Sequence, residues 1–338
     1  MTLKSSVSAG ISPLITVVMP VFNGEKYIKD AVDSVLIQTS KNFELLIVND
    51  GSTDRTLDIL NTYSDERINI VNIENNGLVH ALNLGISLAK GKYIARMDSD
   101  DICVENRFEL QLACFEQDHT VDIVSGNVNF IDENSENIGK LTHKNFSFEK
   151  LKNFLLYKKN GKPIVHPTVM IKKEVINKVN GYRNYHSCED RDLWLRCIDL
   201  FEFVNLNEVL LSYRVNVLGI SHKNAINQMV SGIQAVVNYE TNQVSGVDMY
   251  LSYPEQFNLI YTNLLLQKKY LLSAVSNGNK LKKSIRCNDF GCAFSMIFSS
   301  PLSFFFILPF AQRLYIRAII NSKVKDCLAY IYKQASGT

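Results

Sequence analysis

Three carboxylates occupy four positions at Asp98-Ser99-Asp100-Asp101, directly after the run Tyr93-Ile94-Ala95-Arg96-Met97. An apolar run of this kind reads as a buried strand that ends in a turn. Adjacent like charges in a turn repel one another unless a cation is shared among them. An oxygen-only ligand set on a short loop suits Mg²⁺ or Mn²⁺, which keep waters and also take phosphate oxygens. A solvated acidic turn uses the same residues with no ligand, and on these positions alone both readings stay open.

The elements that must hold such a loop are legible around it. From Ile15 to about Tyr213, short apolar runs alternate with helical patterns. Ile15–Met19, Phe43–Val48, Ile68–Ile73 and Lys92–Met97 read as strands. Glu25–Gln38, Thr53–Tyr63 and Leu78–Lys90 carry apolar residues at helical spacing, with Ile28, Val32, Val35 and Leu36 in the first. This alternation predicts an α/β fold, Rossmann-like, with a mainly parallel central sheet covered on both faces by helices. Asn23-Gly24, Asp50-Gly51-Ser52, Asn76-Gly77 and Lys90-Gly91 supply the turns, and Ser52-Thr53-Asp54 suits a cap on the second helix. Such sheets bind ligands outside the carboxyl ends of their strands. Three of the four predicted strand ends carry polar residues: Asn23 and Glu25, Asp50, and Asp98 with Asp100. That convergence predicts one site and favours the ligand reading of the carboxylates.

With 338 residues the chain has room for one large domain and an appendage, or for two domains. Its overall charge of +2 is unevenly spread: from Tyr261 onward, eleven Lys and Arg face Asp289 and Asp326, a net +9. A basic tail on a mildly acidic body predicts an anionic partner, a membrane surface or nucleic acid. Seven cysteines, at 103, 114, 188, 197, 287, 292 and 327, show neither zinc-site nor disulfide-framework spacing, which points to a reducing compartment. Met1–Pro13 lacks an apolar signal core, so the chain is expected to stay in the cytosol. After Arg214 the pattern changes to long helices near 222–240 and 255–275, then to Phe290–Gln312, 23 residues without a charge. That length allows a membrane span. Pro301, Pro309 and four serines dilute it, so an interfacial or re-entrant segment and a buried helix pair stay open beside the span.

Seven motifs follow one another along this alternation. They are Val17-Val18-Met19-Pro20-Val21-Phe22-Asn23-Gly24-Glu25, Ile47-Val48-Asn49-Asp50-Gly51-Ser52-Thr53-Asp54, Gly77-Leu78-Val79-His80-Ala81-Leu82-Asn83 and Ala95-Arg96-Met97-Asp98-Ser99-Asp100-Asp101. His166-Pro167-Thr168-Val169-Met170, Gly181-Tyr182-Arg183 and Glu189-Asp190-Arg191-Asp192-Leu193-Trp194-Leu195-Arg196 continue the set in order, over about residues 14–215. Taken together, these motifs resemble the family 2 glycosyltransferases, and the resemblance implies a GT-A fold, a nucleotide-diphosphate sugar donor, Mn²⁺ or Mg²⁺, and inversion at the anomeric carbon. On that pattern Asp98 faces the ribose, Asp100 takes the metal and Asp101 orients them. Asp50 matches the carboxylate that accepts from the base N3–H, although helix capping ahead of Ser52 is the plainer use. Pro20, Val21, Asn23, Glu25, Gly77 and Ser99 then belong to the nucleotide-sugar pocket. Arg96 pairs with the carboxylates or with a phosphate, and His222 reaches the metal or diphosphate.

Inversion by one displacement needs a base opposite the leaving group. The resemblance gives that role to Asp190, at the start of a helix read over Leu193–Leu200. Favourable charge at a helix N-terminus is the rival use of Glu189 and Asp190. His166, Glu189 and Trp194 are expected on the acceptor side. His166, extended by Pro167, serves equally as a structural histidine, and Trp194 as core.

Other classes lack their requirements. A dinucleotide oxidoreductase needs G-x-G-x-x-G after the first strand, where this chain has Pro20–Glu25. A sugar nucleotidyltransferase needs a glycine-rich phosphate loop followed by lysine. A processive synthase needs several spans and Q-x-x-R-W, whereas the single Trp194 sits in Asp192-Leu193-Trp194-Leu195-Arg196. Nucleic-acid binding lacks stacking aromatics on a polar face. What remains beside an enzyme is a non-catalytic sugar-nucleotide-binding or membrane-bound scaffold protein of a polysaccharide assembly complex. The expected organisation is a flexible N-terminus over 1–13, a GT-A catalytic domain over 14–220, and a helical, membrane-associating extension over 221–338. The expected activity moves one sugar, UDP-linked, to a lipid-linked or membrane-held glycan of the O-antigen or capsule type. Its expected place is the cytoplasmic face of the inner membrane, with no nucleic-acid partner.

Overall fold

The computed structural model describes residues 2–4, 12–143, 145–157, 164–185, 187–215, 225–266 and 309–336. Two compact units divide the chain. One takes residues 1–152, 161–184 and 196–223; the other takes 153–160, 185–195 and 224–338. Two short segments from within 14–220 therefore group with the C-terminal helices.

Among the described residues, the first unit is built on a ten-stranded sheet. Its strands are β1 (Thr2–Lys4), β2 (Ile15–Val21), β3 (Phe43–Asp50), β4 (Ile68–Ile73) and β5 (Tyr93–Arg96), followed by β6 (Ile102–Cys103), β7 (Val121–Ile131), β8 (Asn137–Leu141), β9 (Met170–Lys172) and β10 (Glu202–Arg214). They lie in the order β1-β4-β3-β2-β5-β9-β7-β10-β6, with β8 on β7. The neighbours β4, β3, β2 and β5 are parallel, as their continuous apolar runs predict. Beyond β5 the sheet becomes mixed: β9 runs antiparallel to β5 and β7, while β10 pairs parallel with β7. Strand β9 follows helix Phe148–Tyr157 and enters directly from a 3₁₀ turn at His166–Thr168.

Helices α1 (Ile28–Leu36), α2 (Thr56–Leu60), α3 (Leu78–Leu88) and α4 (Arg107–Gln117) follow β2, β3, β4 and β6. The first buries Ile28, Ala31, Val32 and Val35 in the core formed with Val17, Met19, Leu45 and Ile47. Helix α2 is shorter than Thr53–Tyr63 because the amides of Thr53 and Arg55 are taken by side chains of the β2–α1 loop. Helices α5 (Phe148–Tyr157), α6 (Lys173–Lys178) and α7 (Glu189–Cys197) come next.

The second unit is helical, with α8 (Ala225–Ser245), α9 (Met249–Ser252), α10 (Pro254–Leu266) and α11 (Pro309–Ser336). Helix α8 buries Val230, Ile233, Val236 and Val237, and Gln234 Nε2 donates to Phe257 O at 2.8 Å. Tyr185, Tyr250 and Phe257 form one aromatic cluster, the two tyrosine rings stacked at 5.5 Å. No helix among the described residues is long and apolar enough to cross a membrane. Of the Phe290–Gln312 segment, residues 290–308 lie outside the described residues and Pro309 opens α11.

Close packing of α3 on the sheet depends on Gly85, where a Cβ would stand 2.6 Å from Val18 Cγ1 and 3.4 Å from Val48 Cγ2. Gly85→Leu is expected to lower stability by about 1–3 kcal/mol through overpacking. The readout is a lower urea midpoint at unchanged slope.

Candidate active site

The polar residues named above gather at the carboxyl ends of β2, β3 and β5. Asp50 closes β3 at 4 % exposure, and its two oxygens accept from Asn76 N and Gly77 N, each at 2.9 Å. Gly77 has φ of 87°, a conformation glycine adopts without strain. Rather than capping α2, Asp50 holds the β4–α3 loop, and each oxygen keeps a further lone pair.

Pro20 and Val21 are buried at the end of β2, and the loop after them is laced to the loop after β3. Asn23 Oδ1 accepts from Thr53 N at 2.8 Å, and Asn23 N donates to Ser52 Oγ at 2.9 Å. Glu25 Oε2 accepts from Arg55 N, while Asp54 accepts from Glu25 N, both at 3.0 Å. These bonds fix the two loops against each other, and a Cβ on Gly24 would lie 3.7 Å from Ser99 Oγ. The carboxylate loop therefore adjoins them.

In that loop, Asp98, Asp100 and Asp101 bring carboxylate oxygens within 4.8 Å of one another. Burial pushes the Asp100 carboxyl up to about 6, reinforced by the Asp98 charge and opposed by Arg96 and Arg214. Burial drives Asp101 well above the usual carboxylate range, with Asp98 and Asp100 adding to it. Asp98 pairs with the buried Arg96 guanidinium. Burial alone would lower the Arg96 pKa, but the charge on Asp98 leads the groups that raise it overall. Asp101 Oδ1 accepts from Arg214 N at 2.7 Å, whereas its buried Oδ2 has no hydrogen-bond partner. At 1 % exposure Asp101 does not belong to a solvated turn. Three hard-oxygen donors, two part-buried and one fully buried with an orphaned oxygen, fit a Mg²⁺ or Mn²⁺ ion.

A cavity of about 580 Å³ opens at the opposite end of the sheet, lined in part by Leu14, Asn42, Lys90, Lys92, Lys172 and Lys173. It holds none of the predicted site residues. Its lysines already have partners: Lys172 Nζ donates to His119 O and Asp122, and Lys173 Nζ to Ala89 O.

His166 lies in the first unit, buried, with Nε2 at 2.6 Å from Tyr182 Oη. It starts a 3₁₀ turn instead of the extended backbone expected ahead of Pro167. Proline is tolerated there because a short turn leaves its first N–H groups without acceptors, and Thr168 Oγ1 closes the turn onto Val165 O at 2.7 Å. Glu189, Asp190 and Trp194 belong to the second unit. The two acids occupy the first turn of α7, where the helix dipole favours them. Arg191 anchors that turn through Nε to Leu155 O at 2.8 Å, and a Cβ on Gly232 would stand 2.8 Å from its Nη1. Trp194 is 2 % exposed. His222 lies outside the described residues.

The family model described as Glycosyl transferase family 2 matches residues 16–179. The O-antigen biosynthesis glycosyltransferase WbnJ of Escherichia coli is 36% identical over 216 residues, which cover 62% of this chain and 83% of that protein. The chain belongs to glycosyl transferase family 2. Solved structures share the fold of this glycosyltransferase at lower identity. S. aureus TarS 1-349, in complex with UDP-GlcNAc, aligns with a TM-score of 0.53 and 16% identity over 83% of this chain and 90% of that one. The mannosyltransferase PcManGT from Pyrobaculum calidifontis, in complex with GDP-Man and Mn²⁺, gives 0.52 and 16% over 96% and 91%. The GT-A-type fold expected from the sequence is the one observed.

Several residues that position the site of this glycosyltransferase carry no motif. Arg107, 0 % exposed, donates from Nη2 to Arg96 O at 2.8 Å and from Nε to Gln111 Oε1 at 3.1 Å. Gln111 Nε2 in turn donates to Thr168 O at 2.8 Å and Val124 O at 3.1 Å. Ser34 Oγ accepts from Cys103 N at 3.0 Å, and Gln38 Nε2 donates to Val104 O at 2.6 Å, so α1 holds the chain just past the carboxylates. The available signal was polarity among otherwise apolar positions, at Ser34 in α1 and Gln38 just after it, and at Arg107 and Gln111 in α4. Arg107→Leu is expected to cost roughly 3–5 kcal/mol, because it leaves buried carbonyls and Gln111 without their donor. Urea unfolding followed by far-ultraviolet circular dichroism checks this.

Proposed function

We propose that this glycosyltransferase moves one hexosyl group, with inversion, from a nucleotide-diphosphate sugar to a lipid-linked or otherwise membrane-held glycan. UDP is the favoured nucleotide and Mn²⁺ or Mg²⁺ the favoured ion. The observation that carries this reading is the carboxylate trio, with the buried Asp101 and its orphaned Oδ2, which shares the carboxyl ends of the parallel strands with Asp50. Cleaving a sugar–diphosphate bond leaves negative charge on the departing diphosphate, and a divalent ion at Asp98, Asp100 and Asp101 would supply the counter-charge. The free lone pairs of Asp50 suit an N–H of the base, and the same residue shapes the loop at Gly77. Asp190 takes the acceptor proton as the acceptor oxygen bonds to the anomeric carbon and the bond to diphosphate breaks.

The relatives support this reading by what their names state: O-antigen biosynthesis for WbnJ, UDP-GlcNAc for TarS, GDP-Man and Mn²⁺ for PcManGT. The net +9 beyond Tyr261 supports attachment to an anionic leaflet, and the uncharged Phe290–Gln312 stretch supplies a second, apolar attraction. Assembly of O-antigen or capsule units at the cytoplasmic face of the inner membrane is the setting these features favour.

Asp100→Ala is expected to abolish transfer and to weaken Mn²⁺-dependent UDP binding, with EDTA reproducing the loss in the parent enzyme. Full turnover in EDTA would remove the metal from the reading.

Asp190→Asn is expected to keep donor affinity while turnover falls by roughly 10²–10⁴-fold, the usual worth of a positioned base. Asp50→Asn should instead weaken donor binding, since its amide NH₂ would face the N–H of Asn76 or Gly77. Calorimetry and initial rates across UDP-sugars separate the two. Donor binding lost equally in both variants would argue against a base at 190, and donor binding without turnover in the parent would favour the non-catalytic alternative.

A further inference from the structure

Arg214 ends strand β10, 114 residues after Asp100, and joins four segments of the first unit. Its Nε donates to Asp100 O at 2.8 Å, and its backbone N donates to Asp101 Oδ1 at 2.7 Å. Nη1 donates to Asp132 O at 2.7 Å and Nη2 to Ser135 Oγ at 3.0 Å. The guanidinium carbon lies 4.1 Å from the centre of the Tyr27 ring, in the loop that also carries Asn23 and Glu25. The β7–β8 turn that receives Nη1 and Nη2 is itself braced. Asp132 Oδ1 accepts from Asn134 N and Glu136 N, and Glu133 reaches Lys26 at 3.2 Å.

The choice of atoms matters. Arg96 spends its charge on the carboxylate of Asp98. The side chain of Arg214 grips only the peptide oxygen of Asp100, and its amide takes only one oxygen of Asp101. Arg214 itself takes neither the Asp100 carboxylate nor Asp101 Oδ2. A planar guanidinium can hold two carbonyls and a hydroxyl on different sides while stacking on a ring; an ammonium cannot. We propose that Arg214 is the positioning residue of this enzyme's carboxylate loop, fixing its main chain against the β2–α1 loop and the β7–β8 turn so that the ligand oxygens stay free. This rests on the metal–diphosphate reading of that loop. It predicts that binding of a nucleoside diphosphate with metal depends on the fork of Arg214, whereas metal-free binding of the nucleoside does not.

The test compares full-length parent, Arg214→Lys and Arg214→Met by hydrogen exchange and by calorimetry with UDP plus Mn²⁺ and with uridine alone. The expected result is faster exchange at 97–101 and at Tyr27, UDP–Mn²⁺ affinity at least tenfold weaker in both variants, and unchanged uridine affinity. Should Arg214→Met not fold, Arg214→Lys alone carries the comparison. Parent-like exchange and affinity in Arg214→Lys would overturn the proposal, because charge alone would then suffice. Equal loss of uridine and UDP–Mn²⁺ binding would also overturn it, as that marks general disruption. A parent that binds no UDP at any Mn²⁺ level would overturn the donor reading instead, and the exchange data would still decide whether Arg214 holds the loop.

Discussion

Like-charge repulsion in a desolvated loop is the constraint around which the sheet unit is arranged. Three acids converge after β5, and burial, complete only at Asp101, removes part of the water that would screen them. Three arginines answer different parts of the problem. Arg96 places a positive charge against Asp98, Arg107 on α4 fixes the backbone of Arg96, and Arg214 at the end of β10 fixes the backbone of Asp100. Stability alone does not account for such an expensive arrangement, since replacing an entire buried ion pair or triad by well-packed apolar residues is often neutral or stabilising. A cation of the kind proposed for this loop would account for it.

The same economy shows at Asp50 and in the laced loops. A carboxylate that organises the β4–α3 loop through two amides has its position settled before any ligand arrives. Asn23, Glu25 and Asp54 spend their polar atoms on one another's loops, so the ends of β2 and β3 form a set surface. Order established during folding is order that need not be created on binding.

Most of this unit was legible in the sequence where one physical signal dominated. Strands β2 to β5 and helices α1 and α3 follow from apolar period, and Asp98–Asp101 from a charge pattern that a plain turn rarely needs. Helix α2 came out short because the side chains of Asn23 and Glu25 captured its leading amides, a tertiary contact no local pattern encodes. The antiparallel turn of the sheet at β9 was hidden for a related reason: three residues carry no period, and the 3₁₀ turn at His166 overrides the usual preference before proline. Arg107 and Arg214 were missed altogether. Arg214 sits in an ordinary run, Arg107 shows only as a polar position on an apolar face, and the meaning of each lies in carbonyl groups elsewhere along the chain. Asp190 was singled out by resemblance; its mount on Arg191, Leu155 and Gly232 belongs to three separated segments.

That mount has an evolutionary consequence. The chain passes between its two units five times, near residues 152, 160, 184, 195 and 223. Arg191 needs the carbonyl of Leu155 behind it and a residue without a side chain at 232 ahead of it. A single recombination point between relatives anywhere from 156 to 231 would inherit part of that arrangement from each parent. Exchange of C-terminal regions within the family is therefore expected to travel as a discontinuous block, with compensating changes near 155 and 191 accompanying any new helical tail.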